Sequence, residues 1–442
     1  MRNARFSCTS LTKQAFVCIS LFAASGLTLS EETETPPWDV SAPSYSAEVQ
    51  EIDLNVTEGT WMNLDVSPDG QHIAFDLLGD IYHIPITGGE ATPLLSGHAW
   101  EVQPQYSPDG RFLAFTSDRN GADNIWVMDL ANPDDKHQIT HESFRLLNNP
   151  SWHPSGDYLV AKKHFTTSRS LGTGEVWLYD ANVDQALARG NLQGSVLVKR
   201  PSPAFQKELG EPTFSADGES VFYIQNMTPG NTFIYHEDSN GEVMAIKRYD
   251  LETGEIEKVV GGAGGAVRPT PSPDGKTLAF VKRVRAASRL FVMDLASGEQ
   301  TMLVDDLDPD MQETWAVQGA YPTMAWTPDG KSIVYWSQGH IWRVDVGSGE
   351  TRQIPFSVND TRTAYPAVEV AVDVAPDTLT TAMPRFATQS PDGQSVIFES
   401  MGRLYVKRSD TEAKRLTRDT SDAVEFSPAF SPDGKDVYYL TW

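Results

Sequence analysis

Few residues of this chain stand in a pattern that does chemistry. His141-Glu142 begins like a zinc-protease motif, but the second histidine that would complete the metal site is absent. No Gly-x-Ser-x-Gly elbow presents a nucleophilic serine. Gly261-Gly262-Ala263-Gly264-Gly265 is followed by neither Lys-Ser nor Lys-Thr, and no helical pattern succeeds it, so it is not a phosphate loop. Asp305-Asp306-Leu307-Asp308-Pro309-Asp310 alternates carboxylates as a calcium loop does, yet lacks the central Gly and the distal Glu, and reads as a solvated loop. We therefore expect no catalytic residue, no metal and no other cofactor in this chain.

Recognition chemistry is better represented. In an acidic chain, basic groups gather at Lys162, Lys163, His164 and Arg169, at Lys199, Arg200 and Lys207, and at Lys282, Arg283, Arg285 and Arg289. They define either a cationic mouth for an anionic group or acidic neighbour, or scattered solvated charges. Of the tryptophans, Trp126, Trp177, Trp326 and Trp342 fall at regular strand positions that suit packing. Trp100 and Trp315 fall in loops. The candidate ligand or partner face is thus Trp100, His164, Arg169, Lys207, Arg283, Arg285 and Trp315.

The elements that position these residues are set by one turn repeated eight times. Ser67-Pro68-Asp69-Gly70 recurs at 107–110, as His153-Pro154-Ser155-Gly156, as Ser215-Ala216-Asp217-Gly218, and at 272–275, 327–330, 390–393 and 431–434. The first interval, 40 residues, is the shortest, and the variable excess elsewhere marks insertions into one module. Pro presets φ for the second position, Asp is at home in the third, and Gly takes the left-handed fourth. Short apolar strands flank each turn, a third strand such as Ile125 to Leu130 follows, and a Gly turn such as Ser297-Gly298-Glu299 leads to a fourth. Four antiparallel strands per unit predict an all-β chain, a β-propeller of four-stranded blades with seven to eight repeats, the last incomplete. Its ring is expected to hold seven blades with an overhang, or eight, or to be two partial rings. The strand 49–56 is expected to complete the last sheet. Both turn classes lie on one face, and the long insertions (166–174, 181–210, 226–242, 305–320 and 357–381) lie on the other, where we expect the site.

The ends carry processing signals. Residues 1–30 hold Arg2, Arg5 and Lys13 and no acid, then an apolar run from Ala15 to Leu29, which reads as a signal peptide. Residues 31–47 read as a linker and 48–442 as the propeller. Cys8 and Cys18 both lie in the leader, so the mature chain would hold no disulfide. Losing the leader's three positive charges would take the net charge from −25 to −28, which argues against nucleic acid or an anionic membrane as partner. A periplasmic or secreted location follows. Because 437–442 is only the second strand of its unit, we expect a fragment of a longer polypeptide.

Beyond the shared turn, Glu58-Gly59-Thr60-Trp61-Met62, 75–82, Phe115-Thr116-Ser117-Asp118-Arg119, 205–212 and 261–273 resemble the TolB-like propeller that precedes the catalytic domain of exported bacterial amidohydrolases of the imidazolonepropionase-like type. The resemblance runs from about Pro36 to Trp442. It implies a metal-dependent C–N hydrolase as the parent, with its catalytic domain as partner. None of the nine histidines forms the His-x-His pair of that superfamily, so no family catalytic residue is carried over. The resemblance implies a non-catalytic propeller that admits substrate or binds a neighbouring domain. The alternative is a free-standing periplasmic TolB-like module that binds a protein or peptide.

Overall fold

The computed structural model describes residues 40, 49–168, 171–238, 240–365, 372–418 and 420–442. The expected signal peptide, all of the expected linker except Val40, and Arg169 lie outside these residues.

Each tetrapeptide joins two antiparallel strands. Ser67 Oγ donates to Asp69 Oδ1 (2.6 Å) and accepts the His72 N–H (2.9 Å), while the same Asp69 oxygen accepts the Gln71 N–H (2.9 Å). Ser107 with Asp109, Ser272 with Asp274 and Ser390 with Asp392 repeat the arrangement. Aspartate therefore does more than tolerate its position, because its carboxylate satisfies donors that a tight turn strands. The closing glycines, Gly70 to Gly434, have φ of 67–78°, where a side chain is strained.

Residues up to 366 form one compact unit and 367–442 a second. The first holds six four-stranded antiparallel sheets: blade 1 (64–95, passing over the short strand Gly89–Glu90, which pairs with Phe356–Ala364), blade 2 (101–138), blade 3 (147–198), blade 4 (209–260), blade 5 (267–304) and blade 6 (325–354). Apolar faces of adjacent blades share cores. Ala74, Ile81 and Leu95 of blade 1 pack with Leu113, Phe115 and Trp126 of blade 2, and Val160 and Val176 of blade 3 with Phe214 and Tyr223 of blade 4. The largest core passes through blades 4, 5 and 6 into Phe75 and Leu77 of blade 1. Polar bonds seal that junction: Thr323 N–H donates to Asn63 Oδ1 (3.1 Å), Leu64 N–H to Thr323 Oγ1 (2.8 Å), and Trp336 Nε1–H to the Gly59 carbonyl (2.7 Å).

The ring thus closes on six blades, a number not among the sizes expected. Turn spacing counts repeats, but the wedge angle at which neighbouring cores pack decides how many fill a circle. Gln50–Val56 also departs from expectation. It pairs antiparallel with Phe356–Ala364, from Gln50 opposite Ala364 to Val56 opposite Val358. Blade 6 already owns four consecutive strands, so its sheet has no vacancy to complete. The second unit holds a seventh four-stranded sheet (385–415) and an eighth pair, Glu425–Phe430 with Val437–Thr441. The one helix among the described residues, Val183–Arg189, lies in the 181–210 insertion and is capped by the Asn182 side chain and by Gly190.

Candidate functional site

The innermost strand of blades 2 to 5 breaks register four residues before its turn. At Gln103, Asn149, Glu211 and Arg268 the backbone takes φ of 48–61°, and a β-bulge interrupts the ladder there. A non-glycine residue in that region costs on the order of 1 kcal/mol. Side chains from neighbouring blades offset it by accepting the freed N–H groups. Gln103 N–H goes to Asp76 Oδ2 (2.8 Å), Asn149 N–H to Gln103 Oε1 (2.7 Å) and Arg268 N–H to Glu211 Oε2 (2.5 Å). Each residue is followed by proline (Pro104, Pro150, Pro212, Pro269), which has no N–H to give the ladder. The result is a belt of polar side chains around the axis. Arg268 is its centre: Nε donates to the Tyr321 carbonyl (2.7 Å), Nη1 to Asn149 Oδ1 (3.2 Å), and Nη2 lies 3.3 Å from Glu211 Oε1.

Residues 310–320, which link blades 5 and 6, cross this belt and close the channel on the insertion side. Lys162 Nζ donates to the Val317 carbonyl (2.6 Å) and to Glu208 Oε1 (2.5 Å), and Gln103 Nε2 donates to the Gln318 carbonyl (2.8 Å). Both Lys162 and Glu208 are buried. Burial pushes the Glu208 carboxyl up to about 7 despite Lys162 beside it. The segment is pinned at its start by Arg283, which grips Asp310 (2.6 and 2.9 Å) and Glu313.

On the turn side the channel stays open as a well of about 350 Å³. Below the belt its wall is one residue from each inner strand, two before the turn: Asp65, Gln105, Ser151, Thr213, Thr270 and Ala325. The rim is formed by turn residues such as Pro68, Pro108, Pro154 and Pro273. Burial pushes the Asp65 carboxyl up to about 7, against the pull of the N–H groups of Tyr106 (2.7 Å) and Val66 (2.9 Å) on its two oxygens. The wall offers hydroxyls but no histidine or lysine to activate them.

Three of the residues singled out in the sequence converge on the crossing segment. Arg283 pins its start. Trp315 lies within it, donating Nε1–H to the Gly172 carbonyl (3.2 Å), and His164 meets the Trp315 ring edge-on at 5.3 Å. The other three stand apart from that group. Lys207 is buried, donating to the carbonyls of Thr228 (3.0 Å) and Pro229 (2.9 Å) and pairing with Glu237 (3.4 Å). Arg285 is exposed at the hairpin tip of blade 5 with φ of 59°. Trp100, half exposed, covers Gly79 between blades 1 and 2, and its N–H donates to Asp118 Oδ1 (2.7 Å). Among the basic residues, Lys162, Lys163, Lys207 and Arg283 are thus held in ion pairs rather than facing solvent. Asp310 is likewise engaged by Arg283 and Ser288, and no cluster of three metal-binding side chains occurs among the described residues.

Gln103, Asn149, Glu211 and Arg268 were not among the expected site residues. Their signal was present: a polar residue followed by proline, four positions ahead of each turn. Four different side chains at one repeat position conceal it, because the conserved feature is the backbone bend and not the residue type.

Residues 49–195 match the family described as TolB beta propeller domain. Over 227 residues the chain is 26% identical to the uncharacterized peptidase YuxL of Bacillus subtilis (strain 168), covering 51% of this chain and 28% of that protein. Over 255 residues it is 24% identical to dipeptidyl aminopeptidase BIII of Pseudoxanthomonas mexicana, covering 51% and 36%. The matched region therefore spans little more than a third of these relatives at most. Among solved structures, TolB from Acinetobacter baumannii superposes with a TM-score of 0.48 at 16% identity, covering 69% of this chain and 66% of that one.

Proposed function

From the premise that this chain carries a TolB-like β-propeller domain, we propose that it is the non-catalytic, peptide-binding part of an exported hydrolase of amide C–N bonds. The observation that carries this is the axial well. It is polar and formed by all six blades; its lining holds no histidine or lysine, and its Asp65 and Glu211 carboxyls are taken up by backbone N–H groups. Such a surface holds a chain by hydrogen bonds. The curated relatives point the same way, since YuxL and dipeptidyl aminopeptidase BIII are both named as peptidases. An amidohydrolase parent, implied by the sequence resemblance, cleaves the same class of bond. In either parent the propeller binds an extended segment on its axis and presents it to a catalytic domain. Export accords with the leader-like residues 1–30.

Titration of the full chain with a fluorescent, unstructured peptide tests this reading. Replacing Asp65 and Thr213 together by alanine is expected to weaken binding at least fivefold and to cost about 1–3 kcal/mol of stability where the Tyr106 and Val66 N–H groups lose their acceptor, so affinities are compared between folded proteins. Equal affinity of wild type and variant would remove the well from the function.

A further inference from the structure

The segment that closes the channel is a turn, closed by Gly319 N–H on the Ala316 carbonyl (3.2 Å), and it is held by the ring through its backbone. The Val317 carbonyl accepts from Lys162 Nζ (2.6 Å) and Asn148 Nδ2 (3.2 Å), and the Gln318 carbonyl from Gln103 Nε2 (2.8 Å) and Asn149 Nδ2 (3.4 Å). Ala320 N–H donates to Glu211 Oε1 (2.6 Å). These donors and this acceptor come from blades 2, 3 and 4, while the segment belongs to the connection between blades 5 and 6. Between the contacts lies Gly319, at φ of 119°, whose bare Cα rests on the Arg268–Glu211 pair. A Cβ there would overlap Arg268 Nη2, and that guanidinium is tethered by Tyr321 and Asn149.

We infer that the axial channel is a peptide-binding site that the chain fills with its own residues 315–320, and that a peptide able to form the same turn, with glycine at the crossing, displaces them. The inference rests on the peptide-binding reading above and gives that site its occupant and its gate. Backbone contacts of this kind tolerate varied side chains. Only the residue above Arg268 is constrained, to glycine. The fit of the resident segment is also incomplete. Glu208 Oε2, Gln312 Oε1 and both ring nitrogens of His164 are buried without hydrogen-bond partners, and Arg268 Nη2 has an ion pair but no hydrogen bond. Of these, Glu208 Oε2 and Arg268 Nη2 belong to side chains that hold or underlie the segment, and each such atom costs about 1–3 kcal/mol, so the ring keeps binding capacity that its plug does not use. Apart from Trp315, which packs on His164, and Val317, the plug contributes little apolar area, since Ala316, Gly319 and Ala320 are small. With Arg283 gripping Asp310 and Glu313 before the turn and Tyr321 buried after it, the turn can swing out between two fixed ends. Departure of 315–320 would join the turn-side well to the insertion face.

The probe is an acetylated, amidated, fluorescein-labelled heptapeptide with the sequence of residues 314–320, titrated into the full chain by anisotropy. In Gly319→Ala the resident segment cannot seat, so the heptapeptide is expected to bind at least tenfold more tightly than to wild type. A heptapeptide with alanine in place of its glycine is expected to bind that variant at least tenfold more weakly. Hydrogen exchange on the wild type gives a second readout that does not depend on the variant folding: saturating heptapeptide is expected to speed amide exchange across 313–320 at least tenfold. Unchanged exchange there overturns the inference, as does equal affinity of wild type and a folded Gly319→Ala. If a peptide binds in a manner sensitive to Asp65 and Thr213 while 313–320 stays protected, the peptide-binding reading survives and the displaceable plug falls. If no peptide binds at all, both fall.

Discussion

His164 carries no proton in the folded chain. Burial, with Lys162, Arg145 and Arg200 nearby, pushes its imidazole from an ordinary 6.5 down to about 3. It is 3% exposed and neither nitrogen is paired, so an apolar ring in its place forfeits no hydrogen bond. We expect His164→Phe to be neutral or stabilising by about 1 kcal/mol at pH 8. The sign of the pH effect follows from linkage. Between about 3 and 6.5 the unfolded chain takes up a proton that the folded chain refuses, so wild-type stability is lost as pH falls through this window, by about 1.4 kcal/mol per unit. The phenylalanine variant has no such loss. Urea denaturation at pH 8 and pH 5 should show a gap in favour of the variant that widens in acid, and a constant gap would mean that the imidazole protonates in place. Asp76 illustrates the opposite case: burial lifts its carboxyl to about 6, yet it accepts Asn63 N–H (2.7 Å), Asn63 Nδ2 (2.8 Å) and Gln103 N–H (2.8 Å). Those three donors explain why an acid, and no amide, stands between blades 1 and 2.

At the scale of elements, the Ser-Pro-Asp-Gly turn is a closed hydrogen-bonded unit whose parts can be removed singly. In blade 2, Asp109 Oδ1 accepts from Ser107 Oγ (2.6 Å) and from the Arg111 N–H (3.1 Å). Asp109→Ala strands both donors in solvent-accessible positions. A loss of about 1 kcal/mol is expected, comparable to removing a helix N-cap, and the urea midpoint measures it. No change in midpoint would show that serine alone closes the turn. These turns were legible in the sequence because every bond in them spans at most five residues. The bulged inner strands were less legible, although proline marks them. A bulge matters through where its side chain lands, and Arg268 of blade 5 meets Glu211 of blade 4 and Asn149 of blade 3 only once those blades have folded. Propensity carries no information at that separation.

On the scale of the whole chain, the six-blade ring closes within residues 49–364, with its own continuous cores and its own seam at Asn63 and Thr323. A chain ending at residue 365 is therefore expected to retain the ring, with the unfolding free energy of that unit changed by less than about 0.5 kcal/mol. Failure of the truncated chain to fold would show that the ring depends on 367–442. The amino-acid sequence by itself determined the all-β character, the eight repeats, the antiparallel four-stranded unit and the inward packing of Trp126 and Trp326, all consequences of local alternation and turn chemistry. Tertiary structure alone decided that the circle is complete at six, that Gln50–Val56 pairs with Phe356–Ala364, and that residues 310–320 lie across the axis. The physical reason is range. Strand and turn are written in neighbours, whereas ring size follows from the angle between packed sheets, and the plug from Lys162 reaching a carbonyl 155 positions away.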